Sequence, residues 1–209
     1  MFQSTTNAVS NDRINMRFMM ANIPEIDGIS MIDKKKLSEN FFAKWMILDS
    51  LIEVVKHNWK FVAGSDKSYK EMLNYYGDDK CVDNYAIIKK LEHYWEAYYQ
   101  QFVLPMSQKK FDIYEYQALF LLLLFDPAYT NLSDDCVTFC HDMRKIILRE
   151  LRGYQLNRNY EESRLFEVID ALSIVEKYLV KFREKILLCD FFQIKMNDKF
   201  KRLMCLNHI

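Results

Sequence analysis

The chain has 209 residues, half of them apolar, and its 29 basic side chains balance 29 acidic ones. Such a length and apolar share suit a single domain over residues 1–209 with its own core, and the even charge leaves no positive field to gather nucleic acid or anionic lipid. Only four glycines and three prolines are present, too few for a fold of tight hairpins or phosphate-cradling loops, so the composition points to helices.

Residues 1–10 are polar, lack the basic-then-apolar pattern of a secretory leader, and are expected to be disordered. From Leu37, apolar side chains recur at Phe41, Trp45, Leu48, Ile52 and Val55, the three-and-four spacing of one helix face. Either Ser30 or Asp33 caps this helix ahead of a solvated lysine run, Lys34 to Lys36. The pattern breaks after Trp59, at Val62 to Asp66 and again at Tyr75 to Asp79, where short irregular structure is expected. A second long helix sets Ile88, Leu91, Trp95, Tyr98 and Phe102 on one face, a stripe that reads as core, and Pro105 is expected to stop it.

The next helix, Asp112 to Phe125, is apolar nearly all round and should sit centrally; its longest apolar run, Ala118 to Phe125, falls far short of the roughly 20 residues that cross a bilayer. Asp126-Pro127 ends it, and Ser133-Asp134-Asp135 starts another helix with a capping hydroxyl and negative charge at its positive end. Val137, Cys140, Met143, Ile147, Leu151 and Tyr154 mark the buried face of that helix. The last long helix carries Leu165, Val168, Leu172, Val175, Leu179, Phe182, Ile186 and Cys189 in alternating steps of three and four. This seam serves either a core or an interface, and an ordinary amphipathic core is the simpler reading. Phe191 to Ile209 read as a break and one short helix.

Chemistry-bearing motifs are scarce. Five scattered cysteines, Cys81, Cys136, Cys140, Cys189 and Cys205, lack the spacing of a disulfide scaffold and fit a reducing compartment. Cys136 and Cys140 share a helix face and could offer two thiolates to a metal, but a small apolar core role explains Cys140 equally, and no metal is expected. Neither His-Glu-x-x-His, nor a phosphate loop, nor a nucleophile elbow occurs, and Glu53 and Glu150 read as scattered carboxylates rather than an acid/base pair. Catalytic residues are not expected, and the chain is read as a non-enzyme needing no cofactor.

Three segments carry a resemblance to a known family. Ile23-Pro24-Glu25-Ile26, followed by Asp33, Leu37 and Phe42, resembles the stretch joining the third and fourth helices of nuclear receptor ligand-binding domains, in their divergent nematode form. Glu115 to Pro127, with its Phe125-Asp126-Pro127 ending and Leu132-Ser133 beyond, resembles the family's junction between helices 7 and 8. Arg164-Leu165 with the heptad that follows, ending at Asp190-Phe191-Phe192, resembles its tenth helix. The sequence departs from the family pattern at Lys34, where glutamine is usual, and at Ser38, where a second leucine is usual.

The resemblance covers roughly Met16 to Met204 and implies an all-α layered sandwich of antiparallel helices, beginning after the family's first helix and without its zinc-binding, DNA-reading module. It implies a small lipophilic ligand, with Ala43, Met46, Ile47, Ser50 and Glu53 on the pocket side, where Glu53 would repel a carboxylate. It implies coactivator or corepressor helices as partners, docking in a groove at Ile14, Leu37, Phe200, Leu203 and Met204. The lysine and glutamate that clamp such a helix are replaced by Ala21 and Arg202, so its grip should be weak. Receptor homo- or heterodimers would form through Leu165, Val168, Leu172, Val175, Leu179 and Phe182. The expectation is a ligand-regulated transcription regulator of the nucleus that itself contacts neither nucleic acid nor membrane. The alternatives are a DNA-free module that pairs with receptor partners, told apart by sequence upstream of Met1, and an unrelated all-α enzyme.

Overall fold

A computed structural model describes residues 16, 18–57, 60–62, 64–68, 70, 84–192, 201, 202 and 204, with the side chains of residues 53, 56 and 84–88 set aside. Its long elements are α1 (Met31–Lys56), α2 (Asn84–Tyr98), a π turn (Tyr99–Val103), α3 (Leu104–Gln108), α4 (Ile113–Leu124), α5 (Asp134–Asn157) and α6 (Ser163–Phe191). A 3-10 turn, Pro24–Gly28, leads into α1. No strand occurs among the described residues, and α4 packs on α1, α5 and α6 while α6 packs on α1, α2 and α5. The result is the layered helical sandwich expected from the sequence, with α4 inside it. The expectations for residues 1–10 and for Tyr75 to Asp79 fall outside the described residues.

Local chemistry sets the helix ends. Ser30 is the cap of α1: its Oγ accepts from the Asp33 amide at 3.0 Å. Asp33 instead reaches across the molecule, accepting from the Ser133 amide at 3.1 Å and the Ser133 hydroxyl at 2.9 Å, which ties the start of α1 to the start of α5. Asp112 and Glu115 form a reciprocal capping box at α4. At the end of α5, Asn159 takes φ 57°, and the Tyr160 amide reaches the Gln155 carbonyl at 3.0 Å, a Schellman closure with asparagine in the left-handed position.

Two expectations are corrected. Pro105 does not end the second helix; it sits in the first turn of α3, directly after the π turn, where its missing amide hydrogen leaves little unsatisfied. The buried face of α5 is rotated slightly, with Cys136 and Gln155 buried and Val137 and Tyr154 half-buried. Tyr154 turns out because its hydroxyl donates to Asp112 at 2.7 Å near the surface.

Candidate functional site

Helix α1 is two-faced. Phe41 and Trp45 pack on Phe120 of α4, with ring centroids 6.4 and 5.2 Å away. The neighbouring stripe holds Ala43 and Ile47 buried, Met46 half-buried and Ser50 exposed, while Glu53 lies on α1 with its side chain outside the described residues. Ser50 donates to the Ile47 carbonyl at 2.8 Å, and its Oγ lies 3.4 Å from the Tyr98 hydroxyl. Thus Ser50 carries the stripe to the point where α2 becomes the π turn, a kind of irregularity that often marks functional sites.

Aromatic rings line this point. Tyr98 lies 5.7 Å from Phe102 and 5.0 Å from Tyr178 of α6, and Phe102 stacks on Tyr178 at 4.7 Å with 9° between planes. Burial pushes the Tyr98 phenol up to about 12, so it is a donor at neutral pH. Further along α6, Phe182 lies 6.1 Å from Tyr178, and the Lys185 ammonium stands 4.2 Å over the Phe182 ring. Burial lowers Lys185 to about 8 and raises Cys189, one turn on, to about 11. Phe102 is fully buried and Tyr98 packs half-buried against the core, as expected of that stripe, with the Tyr98 hydroxyl as its polar tip.

Of the expected groove positions, Leu37 and Met204 are both 0% exposed and pack in the core. Ala21 and Arg202 are exposed; Ile14, Phe200 and Leu203 lie outside the described residues. Arg183 Nε donates to the Met204 carbonyl at 3.0 Å, and Lys201 pairs with Asp190, so the described terminal residues are held against α6.

The seam of α6 is likewise core. Val168, Val175 and Leu179 are buried, and Leu165, Leu172 and Phe182 are half-buried against them. A different stripe faces outward: Phe166 and Leu187 are each 63% exposed, with Ile169, Val180 and Phe191 beside them.

Three buried charge clusters fix the geometry, and the sequence reading missed them all. Arg164 clamps Glu115, itself 0% exposed, through Nε at 2.7 Å and Nη2 at 2.6 Å, and also donates to the Lys109 and Lys110 carbonyls at 2.7 and 3.1 Å. Gln155 adds a bond to Glu115 at 3.0 Å. The capping-box spacing Asp112-x-x-Glu115 was the available signal for that acid. Lys44, buried on α1, meets Asp126 at 3.0 Å and Glu176 at 2.5 Å under the Tyr129 ring, joining α1, the turn after α4 and α6. Finally, bonds from the Ser30 hydroxyl and then the Ser133 amide hold the Asp33 carboxyl below its ordinary range.

No group of three or more candidate metal ligands occurs among the described residues. Burial raises Cys136 and drives Cys140 up to about 12, so both are neutral thiols at neutral pH. No helix among the described residues is long and apolar enough to cross a membrane.

Residues 1–192 match the family described as the ligand-binding domain of nuclear hormone receptor. The chain is 34% identical over 182 residues to nuclear hormone receptor family member nhr-150 of Caenorhabditis elegans, covering 82% of this chain and 52% of that protein. It is 22% identical to nhr-16 of Caenorhabditis elegans, over 86% of this chain and 49% of the relative. With nhr-28 of Caenorhabditis briggsae it shares 22% over 85% of this chain and 43% of the relative. The chain therefore spans about half the length of the curated relatives it matches.

Proposed function

Because the chain belongs to the nuclear hormone receptor ligand-binding domain family, we propose that it is the ligand-sensing part of a receptor that regulates transcription in the nucleus. The observation that carries this reading is the α1 stripe, Ala43, Met46, Ile47 and Ser50, whose last member lies 3.4 Å from the hydroxyl of Tyr98, itself packed on Tyr178. An apolar surface with a few convergent polar atoms suits a small lipophilic ligand, which stabilises whichever conformation it fits. Coregulator helices are the natural readers of that state. Without the lysine and glutamate of the usual clamp, Ala21 and the cationic Arg202 should grip a Leu-x-x-Leu-Leu helix poorly.

The test is a fusion of the chain to a heterologous DNA-binding module in cells carrying a reporter. Reporter output is expected to differ from that of the module alone. Equal output from an equally abundant fusion would count against a transcriptional role.

A second reading, a partner for other receptors, is favoured by the outward stripe on α6. Phe166, Val180 and Leu187 lie whole heptads apart, with Ile169 and Phe191 flanking them. Such a stripe fits the same helix of a second copy or of a related receptor, and co-purification with a tagged second copy tests it.

A further inference from the structure

We propose that the edge formed by the start of α4 and the end of α5 is a docking surface for an acidic segment of a partner protein. Such a segment sets an apolar side chain on Ile113 and Tyr114 and its carboxylates on Lys109, Lys110 and Arg158. The surface uses neither the α1 stripe nor the outward stripe of α6.

The parts of this edge are contiguous. Ile113 and Tyr114, in the first turn of α4, are 59% and 55% exposed. The Tyr114 ring lies 4.8 Å from the Tyr154 ring on α5, and the Arg158 guanidinium lies 5.7 Å from that second ring, with Nε 3.3 Å from its hydroxyl. Lys109 and Lys110 reach the same edge through Arg164, which bonds both of their carbonyls and stands 5.6 Å from the Tyr160 ring. The Tyr160 and Tyr154 hydroxyls then share one oxygen of Asp112, at 3.2 and 2.7 Å. Lys110 takes φ 48°, a left-handed conformation that strains a lysine backbone and is held here by the bond from Arg164. A surface fixed in this way is ordered before a partner arrives.

Its charge is one-sided. Asp112 is saturated, since its other oxygen accepts from the Tyr114 and Glu115 amides, both at 3.0 Å. Glu115 is buried against Arg164, Glu162 is held by Arg152 at 3.2 Å, and Glu161 lies 3.4 Å from the Ser163 hydroxyl. Lys109, Lys110 and Arg158 are therefore left without an ion pair among the described residues. Two large exposed side chains rimmed by uncompensated cations make a small recognition patch, and carboxylates are the groups that complement it. A nucleic-acid strand fits less well, because the whole chain is balanced in charge and Ile113 offers a base no ring to stack on.

The test is fluorescence anisotropy of the whole chain with a labelled peptide, Glu-Asp-Phe-Glu-Asp-Leu-Glu-Asp, beside a version with serine for its two apolar residues, a version with lysine for its acids, and labelled oligothymidylate. The first peptide is expected to bind in the micromolar range and more tightly than the other three. Lys110→Glu combined with Arg158→Glu should weaken it about tenfold, and Ile113→Ser, which leaves the charge alone, about three- to fivefold. Lys145→Glu, at an exposed cation in the middle of α5, should leave it unchanged. All four substituted side chains are exposed, and circular dichroism checks that each variant is folded. No binding of the first peptide, equal or tighter binding of any other probe, or an equal loss with Lys145→Glu overturns the assignment.

Discussion

Arg164 shows how much of this fold hangs on single buried charges. Its guanidinium bonds both oxygens of a fully buried carboxylate and two backbone carbonyls at once, which a lysine's point charge cannot do. Arg164→Ala is expected to cost about 3–5 kcal/mol by stranding Glu115, and Arg164→Lys to recover only part of it, as read by urea unfolding. Asp33 gives a prediction in pH. Its carboxyl is depressed in the folded chain, so the stability it adds is present at neutral pH and lost as pH falls below about 4. Asp33→Asn should therefore cost about 1–3 kcal/mol near neutrality, and its deficit relative to the parent should shrink in acid. Lys185 has the opposite sense: folding disfavours its proton, with the folded value about 8 against about 10.4 unfolded. Lys185→Met is expected to raise the melting temperature near neutral pH, with the gain fading as pH climbs from about 8 to about 10. Neither the Arg164–Glu115 nor the Asp33–Ser133 pairing was legible in the sequence, because each pair meets only after the helices pack.

At the scale of the element, α6 is the instructive case. Its three-and-four spacing located the helix and its core side, since Val168, Val175 and Leu179 are all buried. The helix also carries a second, exposed stripe, Phe166, Val180 and Leu187, which that spacing did not single out. The two stripes separate by mutation. Val175→Glu buries an unpaired charge and should unfold the chain, whereas Leu187→Glu should leave circular dichroism and melting temperature nearly unchanged and lower only the dimer fraction in sedimentation. An unfolded Leu187→Glu would contradict this division of faces. The π turn makes a related point: Pro105 reads as a stop, but a widened turn before it lets the chain stay helical, and periodicity carries no sign of such a turn.

For the whole molecule, the layered sandwich follows from what surrounds α4. A helix apolar on nearly every side is stable only when enclosed, and α1, α5 and α6 enclose it. Lys44 then locks the layers, reaching from α1 to Asp126 after α4 and to Glu176 on α6. That cross-link ties α1, which carries the proposed ligand stripe, to α6, which carries the outward stripe. Composition and periodicity made the helices legible, and the family resemblance implied their layering. The candidate site was legible only in part: Ser50 was named, but Tyr98 and Tyr178, brought to it from two other helices, were not.

The central claim, that this chain holds a small lipophilic ligand, is tested most directly by native mass spectrometry of the purified protein. The account predicts a discrete adduct that is lost on denaturation and recovered in an organic extract as a small lipophilic compound. A chain that shows only its own mass, and stays so after incubation with a lipid extract, would contradict it.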